Sequence, residues 1–162
     1  MLVDQKTLNP KLDLFFETHS KLSIEQIWNG WTGPSTLVKW FCPRPWKVTD
    51  CRIDLRHGGE FYTMMEGPGG EKAPNNGCFL EIIPNHQLVW TNMMTAGFRP
   101  SKDTELGFPF VAKIALSDDQ NGCLYQAHVF HRDEIGRKKH EEMGFQEGWA
   151  LAFKQLEECF HF

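Results

Sequence analysis

No stretch of this 162-residue chain approaches the roughly 18 apolar residues of a membrane-spanning helix, and the start, Met1-Leu2-Val3-Asp4-Gln5-Lys6, has an early acid and no apolar leader core. A membrane partner is therefore not expected. Dense positive charge is also missing: 17 basic against 21 acidic residues give a net charge of -4 and a pI near 6.0. Nucleic acid is not expected as a partner, since no basic run could neutralise many phosphates. The single cationic cluster, Arg137-Lys138-Lys139, runs at once into His140-Glu141-Glu142 and reads as a solvated segment. The five cysteines, Cys42, Cys51, Cys78, Cys123 and Cys159, contain no CxxC pair and are odd in number, which points to free thiols in a reducing, cytoplasmic setting. There is no internal repeat, no low-complexity tract, and no nucleophile with an adjacent base.

What the chain does have is apolar content, 41%, enough for a real core in one domain spanning 1–162. Leu12 to Thr18 reads as a first strand. Ser23 with Gln26 forms a capping box for a helix carrying Ile24, Ile27, Trp28 and Trp31 at helical spacing, and Gly33-Pro34 ends it and opens a second short helix toward Trp40. Val48 to Leu55 alternates, with Thr49, Cys51, Ile53 and Leu55 expected on one side. Glycines 58 and 59 then supply a tight reversal into Phe61-Tyr62. Further strands are expected over Glu60–Glu66, Gly77–Ile83, Gln87–Met93, Phe110–Leu116 and Cys123–Phe130, with one long loop from about Thr95 to Pro109. A helix from about His140 to Cys159 closes the chain, its apolar stripe made by Phe145, Trp149, Ala152, Phe153, Leu156 and Phe160. Gly144 and Gly148 fall inside that helix at about 1 kcal/mol each, which suggests close packing or a gap left for something else.

This order, an α+β chain with one strand, two short helices, six strands and a long helix, resembles the helix-grip fold of the START/SRPBCC superfamily, a curved antiparallel sheet of about seven strands around a C-terminal helix. Trp40-Phe41-Cys42-Pro43-Arg44-Pro45-Trp46, Asp54-Leu55-Arg56-His57-Gly58-Gly59, Gly77-Cys78-Phe79-Leu80-Glu81, Leu88-Val89-Trp90-Thr91 and His140 to Trp149 resemble its bacterial branch related to the C-terminal domain of the heat-shock-protein-90 ATPase activator. A proline would be more typical where His57 stands. The resemblance implies the fold and a cavity; a chaperone ATPase as partner is a weaker implication, because the activator's additional N-terminal domain has no room here.

A sheet gripping one helix tends to leave a concavity suited to a small hydrophobic molecule. The expected lining is Trp28, Trp40, Phe61, Thr63, Met65, Leu80, Trp90, Tyr125, Phe145 and Trp149, with His131 at the mouth. The same side chains also fit a fully packed core, and only coordinates separate the two readings. His128 and His131 point to opposite faces of a regular strand and cannot share a metal, whereas His131 and His140 could converge, with Cys42 or Cys78 beside them. Glu66, Glu81, Arg56 and His131 are the residues an acid/base site would draw on. The pattern leads to a ligand-binding protein with no assigned catalytic residue, metal or cofactor; a chaperone-associated module and a cyclase- or hydrolase-like enzyme are the alternatives. It leaves open a monomer or a homodimer paired through an edge strand.

Overall fold

Alternating side chains build the sheet, and one helix covers it. The structure, a computed structural model, describes residues 2–102 and 107–160. Its elements are β1 (Asp13–Ser20), α1 (Ile24–Thr32), α2 (Pro34–Leu37), β2 (Lys47–Ile53), β3 (Glu60–Glu66), β4 (Lys72–Ile83), β5 (Gln87–Thr91), β6 (Met94–Thr95), β7 (Arg99–Pro100), β8 (Phe110–Asp119), β9 (Gly122–His131), α3 (Glu134–Glu142) and α4 (Phe145–Glu158). Seven strands form one antiparallel sheet in the order β1-β9-β8-β5-β4-β3-β2, which is the expected helix-grip arrangement, and β6 pairs with β7 in a separate hairpin. That hairpin occupies part of the expected long loop; residues 103–106 lie outside the described residues.

The capping box is formed as expected: Gln26 N donates to Ser23 Oγ at 3.1 Å and Ser23 N to Gln26 Oε1 at 3.0 Å. The glycine pair does more than reverse the chain. Gly58, at φ 79°, donates to Phe79 O at 2.7 Å, and Phe79 N donates to Gly59 O at 3.0 Å, so the turn is pinned to β4. A Cβ on Gly58 would fall 2.5 Å from Phe98 Cε2, so the hairpin tip seats on a bare backbone.

Strand β2 departs from simple alternation. Its register against β3 shifts between Val48 and Asp50, so Thr49 is the extra residue of a bulge and is exposed, while Val48 is buried with Cys51 and Ile53 turned partly inward. The expected long C-terminal helix is also two helices. Asp133 caps α3 by accepting from Gly136 N at 2.8 Å, and Gly144, at φ 88°, stands between α3 and α4 instead of inside one helix. The basic cluster lies on α3. It is more than a solvated face, because Arg137 Nε donates to Asp13 O at 3.1 Å and its guanidinium pairs with Glu141 at 2.5 Å.

Helix α4 sits on the inner face of the sheet. Phe145, Ala152, Phe153 and Leu156 are buried, and Phe153 packs on Tyr125 with ring centroids 4.5 Å apart. Gln155 is buried among them: its Nε2 donates to Trp40 O at 3.0 Å and Cys42 O at 2.8 Å, and its Oε1 accepts from Arg44 N at 3.0 Å. One side chain thus ties the α2–β2 connection to the helix. At the C-terminal end contact is close, since a Cβ on Gly30 of α1 would overlap Leu156 Cδ1. Trp149, midway along, is only half-buried.

Replacing Phe153 with Ala is expected to cost about 3 to 5 kcal/mol in urea denaturation, the range for a large buried aromatic. Trp149→Ala should cost clearly less, because one side of its indole has no packing to lose. Equal losses at the two positions would mean that α4 is seated evenly along its length.

Candidate functional site

Between the inner face of the sheet and the N-terminal half of α4 lies a cavity of about 290 Å³. From the sheet, Phe61, Thr63 and Met65 of β3, Asn75 to Gly77 of β4, Trp90 of β5 and Phe110 of β8 line it. From the helical side come Trp31, Trp40, Phe41 and Pro43, then His140, Met143 and Gly144, and then Phe145, Gly148, Trp149 and Ala152. Asn92 and Ser101 complete the wall.

Trp31 is the hub. Its ring centroid lies 4.9 Å from Trp40, 5.5 Å from Phe41, 5.1 Å from Trp90 and 6.5 Å from Trp149. Neighbouring polar groups hold this cluster in place. Trp40 Nε1 donates to Gly30 O at 2.9 Å, and Trp149 Nε1 donates to the Tyr125 hydroxyl at 3.1 Å. The Trp31 indole N–H turns toward that same hydroxyl without reaching hydrogen-bond geometry, so it is a buried donor with no partner. Burial holds the Tyr125 hydroxyl protonated far above its ordinary range.

Gly148 decides whether there is space. A Cβ there would meet nothing nearer than Pro43 Cγ at 3.8 Å, ordinary contact, so this glycine is not needed for close helix packing. It leaves room at the wall of the cavity.

Trp40, Phe61, Thr63, Met65, Trp90, Phe145 and Trp149 are brought to the cavity, while Trp28, Leu80, Tyr125 and His131 are not. Trp28 and Trp31 share the buried face of α1, and only Trp31, nearly one turn further on, reaches the space. Leu80 is the extra residue of a bulge between Phe79 and Glu81, which takes it off the inner face. Tyr125 lies one layer behind Trp149. His131 lies behind His140, which takes the place expected of it.

The two histidines do converge, but as a hydrogen-bonded pair. His131 Nδ1 is 3.0 Å from Leu12 O, and His131 Nε2 is 2.9 Å from His140 Nδ1. Among the described residues, no group of three His, Cys, Asp or Glu side chains is placed to hold a metal. Glu81 instead accepts from Gln87 Nε2 at 3.2 Å, and Arg56 donates to Asp54 at 2.6 Å in an exposed turn; neither they nor Glu66 line the cavity. His128, on the outer face, stands 3.1 Å from Asp13 Oδ2.

Burial, and secondarily the neighbouring His131, lowers the pKa of His140 from 6.5 to about 4. Its ring is enclosed by Phe108, Phe110 and Phe145 at centroid distances of 4.9, 5.7 and 5.2 Å. Burial lowers His131 as well, with the Leu12 carbonyl opposing and Arg137, Asp13 and Asp133 as its charged neighbours.

The unfolded chain therefore takes up these protons at higher pH than the fold does. The resulting stability is complete above the ordinary pKa of 6.5 and is lost as pH falls toward 4. From about pH 7.5 to about pH 5, His140 alone should remove about 2 kcal/mol, read as a falling urea midpoint. His140→Phe should lose that part of the acid dependence; an unchanged pH slope would contradict the assignment.

The family described as "Activator of Hsp90 ATPase homolog 1-like protein" matches residues 21–161. No curated protein matches the chain. Among solved structures, a Nitrosomonas europaea protein is 42% identical with a TM-score of 0.88, covering 93% of this chain and 95% of that one. A Rhodobacter sphaeroides protein at 21% identity (TM-score 0.79, coverage 93% and 94%) shares the fold. So does an AHSA1-like protein of Aeromonas hydrophila at 18% identity (TM-score 0.71, coverage 93% and 97%). With its sheet gripping α4 and the family match running over nearly the whole sheet and both C-terminal helices, the chain belongs to the activator of Hsp90 ATPase homolog 1-like family of the START/SRPBCC superfamily.

Proposed function

We propose that this protein binds a small apolar or aromatic molecule between the sheet and α4. The observation that supports this most is the cavity itself: about 290 Å³ enclosed mainly by indole and phenyl rings, at the small end of ligand pockets. A space that size suits a molecule of one or two fused rings. Rigid aromatic walls offer a large contact area with little side-chain entropy to lose on binding. Among the described residues no helix is long and apolar enough to cross a membrane. The cytoplasmic location that belongs to this proposal draws on the five unpaired cysteines, which suit a reducing compartment.

A chaperone-associated role is the second reading. It draws on the family description and on apolar side chains left in solvent, Ile135 of α3 at 80% exposure and Met143 at the cavity wall at 60%. Stimulation of a heat-shock-protein-90 ATPase by this chain, lost in Ile135→Asp, would favour it. No stimulation would remove it.

Naphthalene should quench tryptophan emission saturably. Gly148→Ala should raise stability by up to about 1 kcal/mol through helix propensity while weakening that binding. Gly148→Leu should fill the space and abolish it. Full-strength naphthalene binding in Gly148→Leu, or none in the wild type, would contradict the proposal.

A further inference from the structure

Two histidines, His131 buried and His140 partly buried, fix which kind of atom the cavity presents. The Leu12 carbonyl can only accept, so His131 Nδ1, 3.0 Å away, carries the proton. In neutral His131 the other nitrogen, Nε2, is then a bare acceptor. It lies 2.9 Å from His140 Nδ1, which must therefore be the donor. That leaves His140 Nε2 with a lone pair and no hydrogen-bond partner among the described residues, on a side chain that lines the cavity. From this we infer that the cavity selects a neutral aromatic molecule carrying a hydroxyl or ring N–H, whose hydrogen is accepted by His140 Nε2. The inference rests on the ligand-binding reading above and adds the chemistry of the ligand.

Several observations narrow the class. No Asp, Glu, Lys or Arg stands among the lining residues, so a charged ligand would be desolvated without compensation. Two of the carboxamides that line the cavity with His140 are engaged elsewhere. Asn92 donates to Phe108 O at 3.0 Å and accepts from Phe110 N at 2.9 Å, and Asn75 donates to Ala73 O at 3.1 Å. Thr63, Ser101 and Asn76 also line the space, but a hydroxyl or a carboxamide both donates and accepts and so does not choose between ligand types. His140 remains the group that only accepts. Burial among Phe108, Phe110 and Phe145 keeps it neutral at physiological pH, which makes it a fixed acceptor and a weak base. His131 acts through it as a positioning residue, holding the tautomer.

The test compares 2-naphthol with 2-methylnaphthalene, which have the same shape and differ in one donor. On hydrophobicity alone the methyl compound should bind better. The wild-type protein should instead bind 2-naphthol about tenfold more tightly, the worth of one hydrogen bond in a desolvated site. His140→Leu should bring that ratio to unity or below. In the wild type, the histidine ¹⁵N spectrum should show His140 Nε2 as an acceptor nitrogen that shifts with 2-naphthol and not with 2-methylnaphthalene. Equal binding of the two compounds to the wild type, or a preference that survives His140→Leu, would overturn the inference and leave the cavity reading standing. Failure of both compounds to bind would overturn the two together. Should His140→Leu not fold, the wild-type ratio and the nitrogen shift decide alone.

Discussion

The uneven seating of one helix governs the rest of the structure. At its C-terminal end α4 is pressed onto α1, where Gly30 leaves room for Leu156 and Phe153 fills the space over Tyr125. Toward its N-terminus the helix stands off. Gly144 ends α3 and opens α4 with a left-handed backbone, Gly148 presents no side chain, and Trp149 spans the gap by donating to Tyr125. A helix packed equally along its length would have closed the concavity. Gln155 makes the arrangement rigid by satisfying two carbonyls and one amide of the α2–β2 connection, which fixes Trp40 and Phe41 at the cavity wall.

Much of the fold was legible because it follows local rules. The Ser23–Gln26 capping box, the seven strands of the main sheet and the Phe145–Leu156 stripe all follow from patterns within a few residues and appear where expected. What escaped was decided elsewhere. Helix α3 is polar, so hydrophobic periodicity did not announce it; the Asp133 cap and the Arg137–Glu141 spacing were the available signals. Thr49 and Leu80 sit in bulges, and a bulge breaks alternation without changing composition.

The site was legible in type more than in detail. Aromatic residues at strand and helix spacing mark an inner face, but periodicity alone does not choose between Trp28 and Trp31, which share the buried side of α1. Nor does it separate a lining residue from one a layer behind. Tyr125 and His131 support Trp149 and His140 through hydrogen bonds that only the packing reveals. The hydrogen-bonding character of His140 at the cavity wall comes from that second layer: one backbone carbonyl, Leu12 O, sets the proton positions of two histidines and so the single acceptor they present.

The six tryptophans offer a direct test of whether the space takes a ligand, because they divide by position. Trp31, Trp40, Trp90 and Trp149 line the cavity, while Trp28 and Trp46 do not. In a ¹H–¹⁵N titration with naphthalene, the indole N–H resonances of the four lining residues should shift together and saturate, with those of Trp28 and Trp46 unmoved. Shifts confined to Trp28 or Trp46, or no shift among the four at saturating naphthalene, would contradict a binding cavity between the sheet and α4.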